Sequence, residues 1–66
     1  MWLQVPNHPY AHYRLENLPD GDAWIHFHCT HCRDVSRKRC SNPSERLIYW
    51  VLVYAGQHAH GLVARV

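Results

Sequence analysis

Hydrophobic and polar residues alternate with a period of two on both sides of a single turn. Tyr13 and Leu15 alternate with Arg14 and Glu16 before it, and Ile25 and Phe27 with Trp24, His26 and His28 after it. This is the strand period, because successive side chains of a strand point to opposite faces. Between the two runs lies Pro19-Asp20-Gly21-Asp22. Pro presets φ, Asp bonds its own backbone and Gly accepts positive φ, so the four residues read as a turn. The pattern predicts a β-hairpin from residues 10–18 and 23–28 that delivers the chain directly into Cys29. Upstream, Pro6, Pro9 and the polar Asn7-His8 predict an extended arm over residues 1–10, leaving residues 11–66 as one domain.

The pattern changes after residue 40. Residues 33–39 are short and charged and predict an edge strand or extended segment. Ser41-Asn42-Pro43-Ser44-Glu45 then signals a helix start: Asn42 suits the N-cap, Pro43 the first helical position, and Glu45 stands three residues after Asn42 as in a capping box. Leu47, Trp50, Val51, Tyr54 and His58 follow at helical spacing, with Gly56 or Gly61 as candidate stops. The same stretch, residues 47–54, is rich in β-branched and aromatic residues, so a buried strand paired with residues 61–66 is the alternative. The helix reading is preferred because a start signal is more specific than propensity. No internal repeat or low-complexity segment interrupts the chain.

Composition sharpens this outline. A chain of 66 residues forms one domain with a marginal core, and chains of that size usually add a metal, disulfides or a partner. Three cysteines and seven histidines are present. An odd cysteine count leaves one thiol outside any disulfide framework. The start Met-Trp-Leu-Gln-Val-Pro has no basic region and no long apolar stretch, so no signal peptide is expected. The apolar run over residues 47–55 is far short of the roughly 20 residues of a membrane helix. A reducing, cytoplasmic setting is therefore expected, where a close cysteine pair more often binds metal than oxidises.

That pair is Cys29-Thr30-His31-Cys32, whose two thiolates can grip one ion from a tight turn, as structural Zn2+ sites do. The competing readings are two small buried residues or a redox pair. The redox reading wants a βαβ context that this length does not supply. Lengths narrow the remaining ligands. A helix over residues 43–58 spans about 24 Å, and a strand over 33–39 runs about 23 Å. The chain thus leaves the knuckle along a strand and returns by a helix of similar length, bringing His58 and His60 beside Cys29 and Cys32. Cys40, at the far end, is the alternative ligand for a chain that doubles back. His8, His12, His26, His28 and His31 read as surface or sheet residues, with His28 and His31 near enough to the thiolates to support them.

A cysteine pair on a hairpin meeting a histidine pair at a helix end resembles the ββα zinc finger, over roughly residues 24–60. It departs from that family in a longer gap between the pairs and a His-x-His spacing, which requires the helix to end near His58. The Cys-x-x-Cys, Asn-Pro and His-x-His-Gly elements together are also similar to short zinc-finger-like accessory proteins of bacteriophages. The resemblance implies a binding protein that engages a host or phage component. The expected fold is a small metal-stabilised α+β domain: a β-hairpin, a zinc knuckle, a short strand and one C-terminal helix.

Two surfaces then carry the expected function. The helix is apolar on nearly every side, and such a helix must be covered all round. With Leu47, Trp50, Val51 and Tyr54 against the hairpin, Ile48, Tyr49, Leu52 and Val53 are left for the N-terminal arm, a second copy or another protein. A protein-binding adaptor is the leading expectation. The alternative uses Arg33, Arg37, Lys38 and Arg39, set against only Asp34, as non-specific phosphate contacts to nucleic acid. The overall net charge of +2 decides neither. No carboxylate stands at a readable spacing from the Cys and His residues, so neither an enzyme nor a small-molecule substrate is expected.

Overall fold

The computed structural model describes residues 1–59. Four strands, β1 (Leu3–Val5), β2 (His8–Asn17), β3 (Ala23–Cys29) and β4 (Val35–Cys40), precede one helix, α1 (Pro43–His58). The strands form an antiparallel sheet in the order β1-β2-β3-β4. This is a small α+β fold with a C-terminal helix, but its sheet is larger than a hairpin and one short strand.

The β2–β3 hairpin follows the alternation. Leu18 N–H donates to the Asp22 carbonyl at 2.9 Å, Asp20 Oδ1 accepts from Asp22 N–H at 3.0 Å, and Gly21 takes a φ of 93°. Residues 1–10, expected as an arm, instead supply β1 and the start of β2. Pro6-Asn7 turns the chain, with Asn7 at a φ of 65°, which suits Asn at the second central position of a type II turn. Leu3 and Gln4 then pair with Tyr13 and His12, and an irregularity before Val5 brings that residue opposite His8. Val5 is fully buried, so the segment belongs to the core.

Directly paired residues of an antiparallel sheet share a face. Ala11, Tyr13 and Leu15 face the same side as their partners Cys29, Phe27 and Ile25, and Cys40, Lys38 and Ser36 lie opposite Ala23, Ile25 and Phe27. This side receives Val51, Tyr54 and Ala55 of α1. Phe27 stacks on Tyr54 with ring centroids 4.3 Å apart, and Tyr10 Oη donates to the Ala55 carbonyl at 2.6 Å. The core is thin, since among the described residues five of the eleven buried hydrophobic ones are Ala or Cys. Burial at roughly 25 cal/mol per Å² gives such small side chains little stabilisation, so an added cross-link matters. The other side of the sheet carries Trp24, His26 and His28 with Arg14, Arg37 and Arg39.

Residues 43–58 are helical, which excludes the strand alternative for 47–54; its proposed mate, residues 61–66, lies outside the described residues. The start is where the signal placed it, but no capping box forms. Only Ser41 and Asn42 separate β4 from α1, and the tight change of direction puts Asn42 in the left-handed region at φ 54°, with no side-chain cap bond. Its carbonyl accepts instead from Glu45 and Arg46 N–H, both at 3.1 Å. Gly56 does not stop the helix, which runs on to His58, where Ala59 N–H closes on the Ala55 carbonyl. Among the described residues no helix is long and apolar enough to cross a membrane.

Candidate metal centre

The knuckle is built by the end of β3 and the turn that follows. Cys29 is the last residue of β3 and is fully buried. Its N–H donates to the Asp34 carbonyl at 3.0 Å, Thr30 N–H donates to the Tyr10 carbonyl at 2.9 Å, and Arg33 takes a positive φ of 59° that turns the chain into β4. The turn aims the Cys32 N–H at Cys29 Sγ, at 3.4 Å. Burial pushes the Cys29 thiol up. Hydrogen bonds from the Cys32 thiol and from the Cys32 and His31 N–H groups outweigh it, and its pKa lies below the ordinary thiol value. The Cys32 pKa is raised, first by its hydrogen bond to Cys29. The turn thus favours the thiolate form at Cys29, the form that binds metal.

The helix supplies the third donor. β4 runs away from the knuckle and α1 returns, so that His58 Nδ1 lies 3.2 Å from Cys32 Sγ. Cys29, Cys32 and His58 place their donor atoms within 4.8 Å of one another, close enough to bind one metal ion. Donors around a tetrahedral zinc stand roughly 3.5 Å apart, given metal bonds of about 2.0–2.3 Å. The observed spacing fits that demand with small adjustments. Tyr54, stacked between Phe27 and His58, fixes the imidazole from its other side, the Tyr54–His58 centroids being 4.1 Å apart.

Asp34 stands behind the imidazole and was not among the residues the sequence pointed to. Its Oδ2 accepts from Tyr54 Oη at 2.9 Å and Ser36 Oγ at 3.1 Å, and lies 3.8 Å from His58 Nε2. Nδ1 faces the thiols and Nε2 faces the Asp34 carboxylate, which at 3.8 Å is in ion-pair range but beyond hydrogen-bond length; a small closure would give the carboxylate–histidine pairing that orients metal-bound imidazoles. Burial and then the Asp34 carboxylate push the Tyr54 phenol well above its ordinary pKa, so it remains a donor. The only sequence signal for Asp34 is its position two residues past Cys32.

Other expected site residues fall elsewhere. Cys40 pairs with Ala23, at the opposite end of β3 from Cys29; six residues of strand put it about 20 Å away. It is a buried core residue and cannot replace a knuckle ligand. His60 lies outside the described residues. His28 is on the far side of the sheet, its ring 5.9 Å from Trp2, and so does not back the thiolates. His31 supports Cys29 through its backbone N–H and sets its ring 5.9 Å from Tyr10.

The expected basic cluster divides. Arg37 and Arg39 lie on the helix-free side, Lys38 points to the helix side with Nζ 4.0 Å from the Trp50 ring, and Arg33 is in the knuckle turn. Period-two alternation separates neighbours along β4. The expected apolar cluster holds together: Ile48, Tyr49 and Leu52 are 55%, 61% and 46% exposed. Val53 borders them, lining a groove between β4 and α1 with Trp50 and Phe27. No family model, curated protein or solved structure matches the chain.

Proposed function

We propose that the chain is a structural-zinc module acting as a protein-binding adaptor. Zn2+ is held in this reading by Cys29, Cys32 and His58, with His60, two residues further on, as fourth ligand. Two thiolates and imidazole nitrogen are the donor set of tetrahedral structural zinc. The order strand, knuckle, strand, helix in β3 through α1 supports the likeness to a ββα finger. The role in this reading is binding rather than catalysis, because Asp34, the carboxylate beside His58, already accepts from Tyr54 and Ser36.

The observation that carries the adaptor reading is the row Ile48, Tyr49 and Leu52. The N-terminal segment, which was one way to cover it, is spent on β1, and the three side chains remain exposed. Contiguous exposed apolar residues on a small domain mark an interaction surface. The partner is a protein with a matching apolar groove, another copy of this chain included. Sedimentation over a concentration series, with binding of a hydrophobic dye, tests this. Concentration-dependent association and dye binding, both abolished by Ile48→Glu with Leu52→Glu, are expected. A strict monomer whose dye binding is the same in the variant contradicts the reading.

A further inference from the structure

The side of the sheet opposite the helix has a composition of its own. Its central positions are Trp24, His26 and His28 on β3, flanked by His12 and Arg14 on β2 and by Arg37 and Arg39 on β4. Aromatic rings and guanidinium groups are interleaved: Arg37 lies over the Trp24 ring at 4.1 Å, and Arg14 over the Trp2 ring at 5.6 Å. Trp2 in turn sits 5.9 Å from His28. The acidic groups nearby are already taken. Glu16 accepts from His26 at 2.9 Å, and Asp20 and Asp22 hold Arg39. Among the described residues, Arg14 and Arg37 pair with no carboxylate, so the middle of this side carries uncompensated positive charge.

We propose that this helix-free side of the sheet binds single-stranded nucleic acid, with bases stacked on the outward faces of the Arg37–Trp24 and Arg14–Trp2 pairs and with the N–H groups of the same arginines contacting phosphates. Both requirements of such a surface are met. Flat aromatic and guanidinium groups offer stacking that any base can use, and unpaired cations follow a phosphate backbone. From Trp24 to His28 the strand runs about 13 Å, enough for the two or three bases that a four-stranded sheet can hold. A duplex hides its base faces in the stack and leaves only the phosphate contacts. An acidic protein segment supplies charge without planar groups. The surface is separate from Ile48, Tyr49 and Leu52, so either can fail without the other.

The test is a fluorescence anisotropy titration of labelled oligothymidylate, about ten nucleotides long, against a duplex of equal length and against polyglutamate, at about 50 mM salt and above. Oligothymidylate is expected to bind and to quench tryptophan fluorescence, with the duplex at least about fivefold weaker because stacking is lost. Arg14→Gln with Arg37→Gln should weaken binding about tenfold and flatten the dependence of log affinity on log salt by about 1.4, two phosphate contacts' worth. Lys38→Gln with Arg46→Gln removes equal charge away from this side and should change affinity less than about twofold. Helix content by circular dichroism confirms that both variants fold. No binding at low salt overturns the proposal, as does equal loss in the two double variants. Competition by polyglutamate as effective as that by oligothymidylate also overturns it, by showing a surface that reads charge alone.

Discussion

Replacing Asp34 separates the two things its carboxylate does. Asp34→Ala removes the acceptor of Tyr54 Oη and Ser36 Oγ and the charge 3.8 Å from His58 Nε2. The loss of the Tyr54 bond leaves a partly buried hydroxyl without its partner, which costs about 1–2 kcal/mol. In a domain this small that lowers the apo Tm by about 4–8 °C for each kcal/mol. The second effect exists only if His58 binds metal. Loss of the carboxylate that orients a ligating imidazole weakens metal affinity about 10- to 100-fold, or about 1.4–2.7 kcal/mol. Asp34→Asn keeps one oxygen for Tyr54 and should recover much of the apo stability while still weakening the metal. Competition with a chromophoric chelator reads the affinity, and melting in excess chelator reads the apo protein. If both variants bind zinc within about threefold of the parent while the apo Tm falls, Asp34 supports the fold and the orienting role is wrong.

Three further outcomes follow from particular contacts. Tyr10→Phe removes the bond to the Ala55 carbonyl, but that oxygen still accepts from Ala59 N–H, so melting should show a loss of about 1 kcal/mol rather than the larger penalty of a stranded acceptor. Gly56→Ala should raise stability by about 0.5–1 kcal/mol in a chemical denaturation series, because Gly56 is inside the helix and a Cβ there meets nothing within 4 Å. Cys40→Ala should cost about 1 kcal/mol of core packing yet leave metal stoichiometry unchanged in elemental analysis. A loss of metal would place Cys40 at the site.

The residues that carried structure at long range were readable in advance for a geometric reason. A strand of known rise and a helix of known rise, laid back to back, bring His58 to Cys32 whatever the side chains between do. The β2–β3 hairpin was readable because its period and its Pro-Asp-Gly turn agree. What escaped depends on shorter-range geometry. Leu3 and Val5 are too few to show a period, and Pro6 and Pro9 read as interruptions, though Pro6-Asn7 is itself a turn signal. Asn42 has the side chain of an N-cap, but a two-residue connection forces it left-handed and away from the helix N–H groups. Asp34 acquires its role from Tyr54, twenty residues away, and from a turn in which Arg33 must adopt positive φ. The splitting of Arg37, Lys38 and Arg39 between two faces follows from strand period alone and was implicit in the edge strand expected over residues 33–39, although the four cations of that stretch read as one cluster.

The central claim is that one ion joins the end of the sheet to the end of the helix. It is tested most directly by elemental analysis of chain purified without added metal, beside a Cys29→Ser variant. One zinc per chain is predicted for the parent, with metal lost and Tm lowered in the variant. That loss is expected because metal affinity in so small a domain is largely folding free energy. A parent chain that is folded and free of metal, with the same Tm as Cys29→Ser, would contradict the account.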